Sequence, residues 1–109
     1  MNRTNELLKI KLLIENANIK YANLVAEFQS QGITTMTVDE CKNFMRKTVN
    51  NETLHKIFNI LVMRGYIRIM SGKIFPTNWN FVNRGTKLDA NDENFAIQVL
   101  NKYGTYDAI

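Results

Sequence analysis

The chain contains 109 residues, enough for one domain with a modest hydrophobic core. Hydrophobic residues make up 45% and charged residues 22%, which is ordinary globular usage and argues against wholesale disorder. The single cysteine, Cys41, excludes an internal disulfide framework and a cysteine-cluster metal site. Because the sequence shows neither a bilayer-length apolar run nor a signal-peptide pattern, we expect a cytoplasmic protein without membrane contact.

The formal net charge of +4 is distributed unevenly along the chain. Residues 41–88 carry nine Lys and Arg against Glu52 alone, whereas residues 1–40 have a net charge of −1 and residues 89–109 of −3. A basic middle of this kind is typical of a protein with one face on a polyanion, and a solvated basic surface is the alternative. Abundant Asn and scarce Ala favour an AT-rich phage, plasmid or bacterial genome as the source.

Two helices are predicted at the start of the chain. The first covers residues 6–16, and its apolar residues extend around more than one face, which is typical of a helix buried in a core or between two subunits. Asn18 is predicted to cap a second helix over residues 19–31, which Gly32 ends in a Schellman motif. The apolar surface of the first helix is equally compatible with packing in the domain core and with contact between two subunits.

A short helix and a longer helix are predicted within the basic segment. Residues 34–36 favour a short strand or an extended linker. Thr37 and Glu40 form a capping box for a helix that ends near residue 46 or 47, on whose apolar stripe Cys41 is a core residue rather than a nucleophile. The longer helix covers residues 52–64, and its inner stripe consists of Leu54, Ile57, Phe58 and Leu61.

After the longer helix, the apolar period changes to strict alternation. Residues 66–70 and 73–75 predict a β-hairpin around a Ser71-Gly72 turn. A last helix is predicted over residues 92–103, with Asn91 as its N-cap.

This order of elements, together with one stretch of sequence, resembles the winged helix-turn-helix family. The stretch NETLHKIFNILVMRGYI, residues 51–67, is similar to the recognition helix and following strand of such proteins, where core-facing aliphatics lead through a basic-Gly-aromatic-Ile step into the wing. The resemblance covers residues 34–77. It implies a mainly α fold with a small β-hairpin wing, in a single domain with N-terminal helices over residues 1–33 and a C-terminal extension over residues 78–109.

The resemblance further implies that the longer helix lies in the DNA major groove. Base edges would be read by polar side chains opposite the inner stripe, namely Thr53, His55, Lys56 and Asn59. Phosphate contacts are expected from Lys42, Arg46 and Lys47 near the preceding helix and from Arg68 and Lys73 on the wing. Glu52 and Met63 lie on the same face and fit DNA poorly.

We therefore expect a sequence-specific protein that binds double-stranded DNA as a transcriptional regulator, with a homodimer through the N- and C-terminal helices as one assembly. The alternative is a winged-helix protein-binding module, such as a small phage- or plasmid-coded inhibitor or replication adaptor acting on a host protein.

No enzyme, cofactor or metal is expected. His55, the one histidine, has neither a second ligand nor a nucleophile at suitable spacing. The paired carboxylates Asp39/Glu40 and Asp92/Glu93 lie at predicted helix starts, where the helix dipole explains them without catalysis.

Overall fold

The structure is a computed structural model that describes residues 2–109. It is mainly helical with one small antiparallel sheet, as expected from the sequence. The elements in chain order are α1 (Arg3–Gln31), β1 (Met36–Thr37), α2 (Val38–Arg46), α3 (Asn51–Met63), β2 (Ile67–Met70), β3 (Lys73–Pro76), α4 (Phe81–Arg84), α5 (Ala90–Tyr103) and a 3-10 helix (Tyr106–Ala108).

Residues 3–31 form one helix rather than two, so the predicted break at Asn18 is wrong. Asn18 is 1% exposed, and its amide donates to the Thr86 carbonyl oxygen and to Asp92 Oδ2, both at 3.3 Å. It therefore serves a tertiary contact, and the helix continues because no glycine or proline interrupts it. The predicted stop at Gly32 is confirmed, since Gly32 has φ 65° and the Ile33 N–H donates to the Phe28 carbonyl at 3.0 Å.

Helices α2 and α3 begin at side-chain caps. The capping box of Thr37 and Glu40 is confirmed, and Asn50 caps α3 by accepting from the Thr53 N–H at 2.8 Å. The predicted inner stripe of α3 is buried as expected. Cys41 is fully buried, and burial raises the pKa of its thiol to about 12, which agrees with a core role.

The predicted hairpin is confirmed and is joined by a third strand, in the order β1-β3-β2. Its turn has positive φ at both central residues, 53° at Ser71 and 74° at Gly72, as a two-residue hairpin turn of type I′ requires. The short strand favoured near residues 34–36 is present but shifted to β1, where Met36 pairs with Ile74. The Val38 N–H donates to the Gly72 carbonyl at 3.1 Å, so the hairpin tip contacts the start of α2.

The C-terminal extension begins with the short helix α4 and continues into α5. Helix α5 begins at Ala90 rather than residue 92, because Asp89, not Asn91, is its N-cap. Asp89 Oδ1 accepts from the Asp92 N–H at 2.8 Å, and Asp92 Oδ2 accepts from the Asp89 N–H at 3.1 Å.

Helix α1 is the centre of the fold and packs against α2, α3, α4 and α5. At about 1.5 Å per residue, its 29 residues span roughly 43 Å, which matches the longest dimension of the molecule, 45 Å. Helix α5 lies antiparallel to it, since Arg3 contacts Asn101 and Lys11 approaches Glu93 at 4.0 Å.

Candidate nucleic-acid interface

The nine basic side chains of residues 41–88 divide into an internal and a surface group. Lys56, Arg64 and Arg84 are bound within the protein, by backbone carbonyls in the first case and by Asp92 in the other two. The charge at the surface is therefore smaller than the sequence predicts. The other six basic side chains form no ion pair within residues 2–109; they are Lys42, Arg46, Lys47, Arg68, Lys73 and Lys87.

Two of the predicted phosphate-binding residues meet α3 at a shared cleft. Lys42 and Arg46 of α2 and Asn51 and His55 of α3 line a small cavity, and we call these four residues the junction cluster. Arg46 Nε donates to Asn51 Oδ1 at 2.9 Å, and the same guanidinium contacts Asn43 Oδ1. These bonds orient Arg46 at the surface before any ligand arrives.

The N-terminus of α3 adds to the positive potential of the junction cluster. The partial charge of the helix dipole there is positive, and it favours anions within the first turn. His55 is exposed and Thr53 is half-buried, so the structure leaves both at least partly accessible. Glu52 is exposed in the same turn and opposes anion binding, as the sequence predicts.

Lys56 is the main correction to the predicted base-reading set. It lies on the expected face of α3 but is only 4% exposed, because its ammonium group donates to the carbonyl oxygens of Tyr106 at 3.1 Å and Asp107 at 3.2 Å. The chain after α5 folds back over this face. We call residues 105–109 the C-terminal strap.

Asn59 is also engaged by the C-terminal strap. It is half-buried, and its amide donates to the Ile109 carbonyl oxygen at 3.1 Å. The strap is anchored from the other side by Glu6, whose Oε1 accepts from the Tyr106 N–H at 2.9 Å. The expectation that Lys56 and Asn59 are free on the surface is therefore wrong. The sequence signal for the strap was Ile109, an apolar residue that follows the helix-ending Gly104. Ile109 is only 7% exposed and is part of the core.

Met63 has a structural explanation on the same side of α3. It is half-buried, and the Tyr103 hydroxyl contacts its sulfur at 3.3 Å. The last turn of α3 thus packs against α5, and Met63 is not an apolar residue left facing solvent.

Both predicted cations of the hairpin lie on the outward face of the sheet. Arg68 pairs with Phe75 and Lys73 with Met70. Because alternate residues point to opposite faces and paired residues share a face, Arg68 and Lys73 are on the same side. Both are exposed, and Ile74, on the other side, is fully buried.

A buried carboxylate on α5, which the sequence analysis assigned to the helix dipole alone, links α5 to three other helices. Asp92 is 0% exposed and binds Arg64 at the end of α3, Arg84 Nη2 at 2.7 Å and Asn18 of α1. Burial raises the pKa of Asp92, but hydrogen bonds from Arg64, the Asp89 N–H and Arg84 lower it more, so the net pKa is below its ordinary value. This cluster shares no residue with the junction cluster.

Comparisons with known proteins returned no match to a protein family, a curated protein or a solved structure. The helices described within residues 2–109 are each too short or too polar to cross a membrane. In the same residues, no group of three or more His, Cys, Asp and Glu side chains is arranged to hold a metal ion.

Proposed function

We propose that the protein binds double-stranded DNA as a winged helix-turn-helix regulator, through the junction cluster and the outward face of the hairpin. The observation that carries the proposal is the junction cluster itself. Its two cations, Lys42 and Arg46, have no carboxylate partner among residues 2–109, and they lie beside the positive end of α3.

The element order supports this proposal. Helix, strand, two helices and a hairpin follow one another, and β1 pairs with the second hairpin strand. The sequence resemblance over residues 34–77 implies this order, with α3 as the helix that enters the major groove. The Ser71-Gly72 hairpin then corresponds to the wing.

The set of DNA-contacting residues is narrower than the sequence predicts. Base edges would be read by His55 and Thr53, in the first turns of α3. Lys56 and Asn59 instead hold the C-terminal strap. Lys42, Arg46 and Lys47 would bind phosphates on one side of α3, and Arg68 and Lys73 on the other.

A protein-binding function is the second candidate. Two observations favour it, since the C-terminal strap covers much of the predicted reading face and Glu52 is exposed at the start of α3. A short basic surface with one acid in its centre also suits an acidic protein partner.

The test is a comparison of DNA affinities among matched surface variants, by fluorescence anisotropy on random-sequence duplex DNA at low salt. Replacing both Arg46 and Lys47 with Ala is expected to weaken binding by at least about tenfold, since each phosphate contact contributes to a shared electrostatic attraction. The control replaces Lys87 and Lys102 with Ala, which removes the same charge from exposed positions outside the proposed surface. Equal losses for the two variants would contradict the assigned surface, and no binding by the wild type would favour the protein partner.

A further inference from the structure

Helix α1 carries a second apolar pattern on the side that faces solvent. The side of α1 that faces the core consists of buried residues, from Ile10 to Phe28. None of the residues on the opposite side is fully buried, and Leu8 and Leu12 are 54% and 62% exposed. We call this set the α1 seam; it consists of Leu8, Leu12, Glu15, Ile19, Ala22 and Ala26.

The spacing of the α1 seam is that of a coiled-coil interface. Successive seam residues are separated alternately by four and three positions, from Leu8 to Ala26. This is the a/d repeat with which one helix packs against another at a shallow angle. Since α1 is already ordered by its core side, a partner helix would meet a preformed surface and helix formation would not oppose binding.

We propose that the α1 seam pairs with the α1 seam of a second copy of this chain, in an antiparallel helix pair. When the two helices cross at the level of Ala17, Leu8 lies opposite Ala26 of the second copy, and Leu12 lies opposite its Ala22. Leu8 and Leu12 then face alanines, which allows close packing toward the two ends, whereas Glu15 lies opposite Ile19 and opposes association at the centre. A parallel pair would place Glu15 directly against Glu15, whereas the antiparallel pair offsets the two like charges by about 6 Å along the helix axis.

The surroundings of the seam also favour the antiparallel arrangement. A groove of about 440 Å³ opens beside Ala26 and is lined in part by Phe44 and Met45. Leu8 of the second copy would reach this groove and bury its exposed surface there. On the same edge, Lys9, which pairs with Glu6 of its own chain at 3.2 Å, would also lie near Glu27 of the second copy, so that opposite charges meet at both ends of the pair.

The association is tested on the full-length protein by sedimentation equilibrium across the micromolar range. We expect a reversible monomer–dimer equilibrium. Replacing Leu8 and Leu12 with Glu should raise the dimer dissociation constant at least about tenfold, whereas Glu15→Leu should lower it. Val62→Glu is the matched control, since Val62 is 40% exposed but lies on α3. Circular dichroism of each variant checks that the fold is intact.

Cross-linking then tests the orientation. In the antiparallel pair, the two copies of Leu8 are roughly 27 Å apart, since 18 residues at about 1.5 Å separate the two levels. A short bismaleimide should therefore link Leu8→Cys to Ala26→Cys in a mixture of the two variants, but should not link Leu8→Cys to itself. The buried native Cys41 serves as the unreactive background.

The dimer proposal does not rest on DNA binding, and three results would overturn all or part of it. A protein that stays monomeric over the whole concentration range would overturn it. So would a dimer that the Glu substitutions at Leu8 and Leu12 leave unchanged, because another surface would then be responsible. Self-linking of Leu8→Cys would overturn the antiparallel arrangement in favour of a parallel pair.

Discussion

The ammonium group of Lys56 donates a hydrogen bond to the backbone carbonyl of Tyr106 at 3.1 Å and lies 4.9 Å from the centre of the Tyr106 ring. This contact joins the middle of α3 to the C-terminal strap, 50 residues further along the chain. A lysine that the sequence assigns to DNA is thus part of the protein's own packing. Its substitution should affect stability first.

The Lys56→Ala variant is expected to lower the free energy of unfolding by about 1–3 kcal/mol, because the carbonyls of Tyr106 and Asp107 lose their donor. Urea denaturation followed by circular dichroism measures the change. Lys47→Ala, at an exposed position of similar chemistry, should stay within about 0.5 kcal/mol of the wild type. Identical midpoints for the two variants would show that the strap contact contributes nothing to stability.

Removal of the Asp92 charge should be more damaging. Asp92→Asn leaves Arg64, whose side chain is 10% exposed, without a carboxylate, and the partly exposed Arg84 keeps only Asp89, at 3.2 Å. A loss of about 3 kcal/mol is expected, at the lower end of the range for a broken buried ion pair because Arg84 keeps some water contact. Glu93→Gln, one residue away and exposed, is the control and should be nearly neutral. If the two variants unfolded at the same urea concentration, the cluster would have no special role.

The stability of the protein should fall in acid. Hydrogen bonding from the Tyr106 N–H lowers the pKa of Glu6 from 4.5, and the net pKa of Asp92 is lowered from 3.8. Because these two carboxyl groups take up protons at a higher pH in the unfolded chain than in the folded one, their contribution to stability is constant above about pH 5 and declines below it, until the folded groups also protonate. The stability difference between wild type and Asp92→Asn should therefore shrink as pH decreases. A difference that stays constant down to pH values well below 3.8 would contradict the assignment.

Cys41 should be inert toward thiol reagents in the folded protein. It is fully buried, and its pKa of about 12 leaves almost no thiolate at neutral pH. Reaction with a chromogenic disulfide should be slow in buffer and fast in denaturing urea. Rapid modification under native conditions would mean that the α2 packing opens readily.

Local sequence signals predicted the central part of the fold well. Thr37 with Glu40, Gly32 and the Ser71-Gly72 pair each encode a cap, a stop or a turn through their own backbone and side-chain chemistry, and each is confirmed. The break predicted at Asn18 was wrong because its partners, Thr86 and Asp92, lie far away in sequence. Asparagine has the same local appearance whether it caps a helix or serves a long-range contact.

The candidate site was predicted only in part for a similar reason. Helical periodicity correctly placed Lys56 and Asn59 opposite the core stripe of α3, but it describes one helix in isolation. Burial of that second face depends on the C-terminal strap, a few residues without periodicity of their own. Lys42 and Arg46 were identified through charge and position alone, and their convergence with His55 required the packing of α2 against α3.

The most direct test of the central claim is the salt dependence of binding between the wild-type protein and random-sequence duplex DNA, followed by fluorescence anisotropy. If the junction cluster and the hairpin cations contact phosphates, the logarithm of the association constant should fall linearly with the logarithm of salt concentration, with a slope of about −3 to −5 for three to five contacts. Loss of Arg68 and Lys73 should reduce that slope by about two. Absence of binding at low salt, or binding without salt dependence, would contradict the claim that this surface binds DNA.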